Sequence, residues 1–433
     1  MTTPLNARRW INWGGNQQSL AVDVLTPGTV DEVAAQVKEA SGTGRRVKAV
    51  GSGHSFTSIA VANDQRMVLH RLSDLVSIDG PLVTVQAGMP LTKLNAILAD
   101  HGLAMPNLGD IDVQTVAGAI STGTHGTGIE HATLASCVES VKLVTGNGEV
   151  LTVGKDDEIF PAARLGLGAL GILVEVTLRC VEAFTLLADE RPMPLPEVLA
   201  GLDDWIPANE HVEFYWYPYT DRAQLKINKR VPANDRPLSP VRGWLDDEFL
   251  ANTLFQGVNR LGRAVPATVP AISAIAARAL TARTYTNRSD RVFCTPRRVR
   301  FTEMEYEIPR AALPEVLDAL PRIIGSLPFK VQFPVEVRFT GPDDVWLSHG
   351  YDRQSAYVAV HQYIGVAYEP YFRAVEAVCQ PLGGRPHWGK LHYRTADDLR
   401  PVYPKFDDFV AVRDRLDPAR VFANDYLDRV LGA

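Results

Sequence analysis

The sequence predicts a mixed α+β chain of more than one domain. Three observations carry this. At 433 residues the chain exceeds what one ordinary hydrophobic core fills. Its first 180 residues alternate short apolar strands with amphipathic helices. Its middle then changes to aromatic, alternating segments that read as strands. With 46% apolar and 22% charged residues, the composition is that of a soluble globular protein.

The elements follow in order. Thr29-Val-Asp-Glu32 is a capping box, and Val30, Val33, Ala34 and Val37 continue it at helical spacing to a stop at Gly42. Val47 to Val50 reads as a strand entering Gly51-Ser-Gly53. Glycines there allow a sharp turn, and its consecutive N–H groups form a concave anion site suited to a pyrophosphate. The loop then presents His54 beside the hydroxyls of Ser55 and Thr57. A dinucleotide fingerprint would need a third glycine opening a helix, but Phe56 stands there. Leu82 to Ala87 is a strand, and Leu91, Leu94, Ile97 and Leu98 mark a helix ended by Gly102. Small residues dominate from Ala117 to Gly128, which suits either a flat ligand or tight packing. Glu139–Thr145 and Val150–Val153 flank Gly146-Asn-Gly148, a hairpin signal. Gly166-Leu-Gly-Ala-Leu-Gly171 matches GxGxxG, but a strand-like run follows it, so the dinucleotide context is missing.

Beyond Cys180, His211 to Tyr219 is aromatic and strand-like, 232–246 is a Pro-rich loop, and 251–282 is helical. Phe301 to Glu307 alternates, with Glu303 and Glu305 on one face that is solvated by default. Pro334 to Phe339 alternates too, placing Glu336 and Arg338 together. They form either a charge-assisted pair at a site or a surface pair of little energetic value. His361 and Tyr363 share a face of a third strand, where a core histidine is an equal alternative.

A net charge of −6 argues against nucleic acid as a partner, and Arg297-Arg298 with Arg300 reads as a solvated strand face. Four scattered cysteines offer neither a disulfide framework nor a zinc site, which fits the cytoplasm. The N-terminus shows no signal peptide, and no window is long enough to span a membrane. His387 and His392 lack a third ligand at a sensible spacing, so no metal is expected.

Val50-Gly-Ser-Gly-His-Ser-Phe56 resembles the flavin-attachment loop of the vanillyl-alcohol-oxidase-type FAD flavoproteins. On that loop alone an ordinary turn histidine is an equal reading. Thr115-Val-Ala-Gly-Ala-Ile-Ser-Thr-Gly-Thr-His-Gly-Thr-Gly128 is similar to the second flavin-contact motif of that family. Pro386-His-Trp-Gly-Lys390 is similar to a run characteristic of its aldonolactone and alditol oxidase branch. Gln332-Phe-Pro-Val-Glu-Val-Arg-Phe339 resembles the substrate strand of the sugar-lactone oxidases, and Leu416 to Asn424 the terminal element. The resemblance runs in order from Trp13 to Asn424.

It implies a two-lobed FAD-binding domain over 1–180 and an α+β substrate domain with a large antiparallel sheet over 181–390. The segment 391–433 would return to the FAD domain. FAD would be bound by Val50, Gly51, Ser52, Gly53, His54, Ser55, Gly109, Asp110, Thr115, Gly118, Ala119, Ser121, Thr122, His125, Gly126, Ile172 and Asn424. His54 would bond to its 8α-methyl group. Catalysis would fall to Glu336, Arg338, Lys390 and His361, and substrate contacts to Asp110, Glu303 and Tyr363. The implied reaction is oxidation of a sugar 1,4-lactone of the L-gulono type to L-ascorbate, by hydride transfer to flavin N5. Glu336 would take the hydroxyl proton, helped by His361, while Arg338 and Lys390 stabilise the developing charge. Gly109 aligns with a gate at which a small residue admits oxygen, so oxygen or another acceptor completes the cycle. Thr302–Tyr306, Phe339-Thr340 and His361–Tyr363 resemble the lactone enzymes more than the alternative, an alditol oxidase making hydrogen peroxide. A non-catalytic FAD-binding protein has no need of the Glu336, Arg338 and Lys390 set. A flavin-free carbohydrate binder using Phe214–Tyr219 predicts a colourless protein. A nicotinamide-fed flavin reductase does not explain Pro386–Lys390.

Overall fold

A computed structural model describes residues 9–232, 239, 249–250 and 252–433. The N-terminal stretch and most of the Pro-rich loop expected over 232–246 lie outside these residues. Strands Asp23–Leu25, Gln65–Met67 and Val47–Ala49 form a parallel sheet in that order. Helix Val30–Thr43 buries Val33, Val37 and Ala40. Thr29 Oγ1 accepts from Glu32 N at 3.1 Å, but the Glu32 carboxylate accepts from Gly28 N at 2.7 Å, one residue before the box would have it. The helix passes the expected stop at Gly42 and ends at Gly44. Termination needs a left-handed residue, and Gly44 takes that conformation at φ +70°.

A second, antiparallel sheet runs Val150–Gly154, Val138–Val144, Ile172–Arg179, Leu82–Gln86, Leu75–Asp79. Val150 pairs with Val144, so the expected hairpin forms. The glycine run 166–171 leads into the strand Ile172–Arg179 rather than a helix. Helix Leu91–Asp100 buries Leu91, Leu94 and Leu98 in this sheet's core. Phe406, Phe409, Tyr426 and Leu427 from the C-terminal helices Phe406–Leu416 and Asp425–Leu431 join the same core.

The third sheet is antiparallel throughout and has eight strands. Their order is Arg283–Arg288, Thr185–Pro194, Arg222–Val231, His211–Trp216, Val335–Thr340, Ser355–Tyr363, Phe301–Pro309 and Arg385–Pro386. Helices Leu195–Ala208, Leu313–Ser326 and Glu369–Cys379 cover one face. The helical stretch expected over 251–282 is two helices, Phe255–Ala264 and Val269–Ala279. Pro266 lies between them, where a proline disfavours helical backbone at the residue before it.

Alternation sorts this sheet into two chemically distinct faces. Val335, Val337 and Phe339, with Met304, Tyr306, Ile308, Val358 and Val360, form the apolar core under the helices. Glu336 and Arg338, with Glu303, Glu305, Glu307 and His361, take the other face and are also buried. The expected solvated face for Glu303 and Glu305 is therefore wrong. Residues 127–131 dock on it: Gly128 N donates to Phe339 O at 2.6 Å, Thr127 Oγ1 to Val212 O at 2.5 Å, and Gly341 N to His131 O at 2.8 Å. Among the described residues no helix is long and apolar enough to cross a membrane.

Phe339 is 1% exposed, on the strand that carries Glu336 and Arg338. Phe339→Ala removes its contact with the core and should cost about 3 to 5 kcal/mol, read as a lowered urea midpoint; a change below about 1 kcal/mol would mean that this face does not anchor the strand.

Candidate active site

Three segments converge at His54. The strand Val47–Ala49 delivers the loop, and Gly53 turns it at φ +73°. His54 stacks on Trp13, with centroids 5.4 Å apart, and Trp13 N donates to Gly53 O at 2.8 Å. The run Pro386–Lys390 closes the other side: Phe56 N donates to Gly389 O at 2.7 Å and Thr57 Oγ1 to Trp388 O at 3.1 Å. Trp388 is fully buried, stacked on Tyr403, with its indole N–H on Leu347 O at 2.7 Å. Burial, and then Lys390, lower the His54 pKa to about 4. Its ring is neutral at pH 7, and neither ring nitrogen makes a hydrogen bond among the described residues. A neutral, unengaged imidazole beside a glycine turn of bare backbone N–H groups fits a flavin dinucleotide.

The small-residue segment abuts this loop. Ser52 Oγ donates to Val113 O at 2.5 Å. Thr115 caps the helix Val116–Ser121, accepting from Gly118 N at 3.1 Å, and Thr122 donates back to Gly118 O. A Cβ on Gly51 would stand 2.6 Å from Thr115 Oγ1, so only glycine lets these segments meet. Val50 and Ala119 are buried, and Ser55 lies beside Gly389. His125 turns under the eight-stranded sheet, stacked on Tyr357 at 3.7 Å with Nε2 3.3 Å from Glu305 and Nδ1 2.9 Å from Gly126 O. A Cβ on Gly109 would lie 3.0 Å from His125 O.

The charged centre is built on the strand Val335–Thr340. The Arg338 guanidinium contacts Glu336 and Asp110, and its Nε donates to Glu213 at 3.1 Å. Lys226 holds the other oxygen of Glu213 at 2.9 Å, and Arg297 the other oxygen of Asp110 at 2.6 Å. Tyr215 O–H donates to Glu336 at 3.3 Å. Next to this lies a second group. Lys390 contacts Glu303, and His361 Nε2 stands 3.3 Å from Glu303 and 4.0 Å from Glu336. The main chain fixes it, with Leu391 N donating to Glu303 O at 2.8 Å and His387 N to Glu305 O at 3.0 Å.

These surroundings separate the two acids. Burial pushes Glu336 up to about 7, and Asp110 and Glu213 outweigh part of the opposing pull of Arg338. Glu303 is also buried, but Lys390 and His361 hold it down at about 2. Glu303 keeps Lys390 charged against burial. Two carboxyls on strands either side of Ser355–Tyr363 thus have separate roles: one is fixed as an anion, and one exchanges a proton near pH 7.

The structure brings Glu336, Arg338, His361, Glu303, Lys390 and Asp110 together, with the His54 loop beside Lys390. It leaves three expected residues elsewhere. Ile172 packs with Val33 and Val37, Tyr363 with Val299 and Phe333. Asn424 caps the last helix and spends its amide on Ser58, Ile59 and Val61 carbonyls, each at 3.1 Å. Three participants were not singled out in the sequence, Glu213, Tyr215 and Lys226, and a fourth, Arg297, was assigned to a solvated face. Alternation along His211–Trp216 puts Glu213 and Tyr215 on one face, but nothing local says which face meets the site. Arg297 is no part of a solvated strand; it sits in an irregular segment and reaches Asp110. His387 meets His125 and Glu305 rather than His392, with ligand atoms within 4.8 Å of one another. Its Nδ1 accepts from Gly389 N at 3.0 Å, so neutral His387 carries its proton on Nε2 and has no lone pair left for a metal.

Comparison with known proteins matches this arrangement. A family model described as FAD binding domain matches residues 23–154, and one described as D-arabinono-1,4-lactone oxidase matches residues 176–430. An L-gulono-1,4-lactone dehydrogenase from Mycobacterium tuberculosis is 42% identical over 431 residues, covering 98% of this chain and 99% of that protein. An L-gulonolactone oxidase from Bos taurus is 33% identical, covering 97% of each. The crystal structure of cholesterol oxidase from B. sterolicum superposes with a TM-score of 0.81 at 19% identity, covering 98% of this chain and 96% of that one. That likeness is one of fold, and it bears out the vanillyl-alcohol-oxidase-type architecture with its large antiparallel sheet. Two matching family models and full-length relatives agree: the chain belongs to the D-arabinono-1,4-lactone oxidase family and carries its FAD-binding domain.

Proposed function

We propose that this protein oxidises a carbinol of a sugar 1,4-lactone of the L-gulono type, giving L-ascorbate. The observation that carries the reading is the pairing of Glu336, which exchanges a proton near pH 7, with Arg338, His361 and the Glu303–Lys390 pair beside the His54 loop. Bound FAD supplies the acceptor for the hydride. Glu336 receives the hydroxyl proton, and His361, 4.0 Å away, is placed to take it onward. Arg338 fixes the carboxyl orientation. Lys390 holds a positive charge beside the loop, where negative charge develops. His54 would hold the cofactor covalently through a ring nitrogen, a reading supported by its neutrality and its unengaged ring. Asp110 and Glu303 are substrate contacts in this reading. Residues 1–180 with 391–433 form the flavin domain and 181–390 the substrate domain, in a cytoplasmic protein. The relatives include a dehydrogenase and oxidases, and oxygen or another acceptor returns the electrons.

Anaerobic mixing with L-gulono-1,4-lactone, L-galactono-1,4-lactone and xylitol tests the substrate class. A lactone should bleach the yellow absorbance, and admission of air then separates oxidase from dehydrogenase; bleaching by xylitol alone would replace the reading with a polyol oxidase. Glu336→Gln should keep flavin but reduce it about 10²- to 10⁴-fold more slowly. The base must be ionised, so in the wild type the rate should fall as pH drops through about 7; a rate flat across that range would remove Glu336 from the role. After acid denaturation, wild-type flavin should stay in the pellet and His54→Ala flavin should enter the supernatant. Release from both would refute the covalent bond.

A further inference from the structure

The two oxygens of the Asp110 carboxylate are divided between two guanidiniums. Arg338 takes Oδ1, and Arg297 takes Oδ2 at 2.6 Å. Arg338 in turn contacts Glu336. A continuous chain of charges, Arg297–Asp110–Arg338–Glu336, therefore runs from the rim of the site to the proton-exchanging carboxyl. The Arg297 side chain is 39% exposed, and an ordinary ion pair at that exposure is worth little. Its setting is not ordinary. Thr295 N donates to Asp110 O at 2.9 Å, and Cys294 Sγ to Gly109 O at 3.3 Å. Asn252 clamps the backbone on both sides of Arg297: its Nδ2 donates to Pro296 O at 3.1 Å and its Oδ1 accepts from Arg298 N at 2.9 Å. The arginine is held in place by main-chain bonds that do not depend on its own charge, so pairing with Asp110 orders little that is not already fixed.

We propose that Arg297 is a positioning residue for the oxidation: it shares Asp110 with Arg338, leaves Arg338 directed at Glu336, and so sets the pH range in which Glu336 accepts the substrate proton. The proposal rests on the reading of Glu336 as the base. Other groups face Glu336 as well. Tyr215 and Glu213 come from His211–Trp216, His361 from Ser355–Tyr363, Arg338 from its own strand, and Lys390 stands beyond Glu303. Asp110 and Glu213 make Glu336 harder to ionise, while Arg338 and His361 make it easier. Without Arg297 the full Asp110 charge falls on Arg338 and is felt at Glu336. Both effects oppose ionisation.

The test compares Arg297→Gln and Arg297→Lys with the wild type, all carrying flavin, by the rate of anaerobic bleaching with L-gulono-1,4-lactone against pH. The glutamine variant should move the acid limb upward by about one pH unit, a roughly tenfold loss on the acid side, with the alkaline plateau within about twofold. Lysine should restore the limb. An infrared titration of the Glu336 carboxyl band, assigned by its loss in Glu336→Gln, should shift in the same direction. Equal loss at every pH would show a purely structural role, and no change in either readout would show none; either overturns the proposal. If no lactone bleaches the wild type, the functional reading fails by itself, and the infrared titration still decides whether Arg297 governs Glu336. Arg297→Met replaces the glutamine variant should that one not fold.

Discussion

The guanidinium of Arg338 gathers three carboxylates from three parts of the chain: Asp110 from the flavin-binding segment, Glu213 from a neighbouring strand, and Glu336 from its own strand. Arginine suits this, because its planar fork offers several fixed donors and keeps its charge when buried. Such a centre is a poor source of stability, since desolvation offsets much of the attraction. Removing the arginine would leave Asp110 to Arg297 and Glu213 to Lys226 but take from the buried Glu336 its guanidinium, and breaking a buried pair in this way costs about 3–5 kcal/mol. The arrangement is better understood as chemistry held under constraint. Burial, and then the acids crowded around one cation, raise the Glu336 pKa to about 7, and Lys390 with His361 keeps Glu303 ionised close by.

That constraint depends on a sheet whose two faces differ completely. Every second residue of the central strands enters an apolar core under three helices. The intervening residues form a charged layer that is equally buried, with Asp110, His125 and residues 127–131 of the first part of the chain lying against it. The polar layer is therefore also the interface between the two halves of the molecule. Asp110–Arg338 and His125–Glu305 both cross it. Pro386–Lys390 ties the same two halves from the other side, where Trp388 anchors the run and the Gly389 carbonyl holds the His54 loop. The His54 loop and the strand bearing Glu336 and Arg338 are thus positioned by one set of contacts, which is what a reaction between groups held on both would require.

Much of the site could be read from the sequence, because local rules apply to it. The glycine turn before His54, the hairpin at Gly146–Gly148 and the period-two placing of Glu336 with Arg338 each follow from backbone geometry over a few residues. Errors appeared where distant partners decide. The solvated face assigned to Glu303 and Glu305 follows from alternation alone, and alternation does not say what covers a face. Arg297 reads as a surface arginine until the irregular segment 294–300 is seen pinned to Gly109 and Asp110. Gly42 and Gly44 are equivalent in composition, and only the backbone at Gly44 is left-handed.

By itself the sequence determined the mixed architecture, the glycine turn before His54, the strand bearing the acid and the arginine, and the family, since these rest on short motifs and on periodicity. The tertiary structure decided which charges meet. Asp110 and Arg338 are 228 residues apart, and Lys390 lies in a turn far along the chain from the strand of Glu303. Their pairing, and with it the ionisation of Glu336, arises when separate segments bury one another and exclude water, which strengthens every charge left inside.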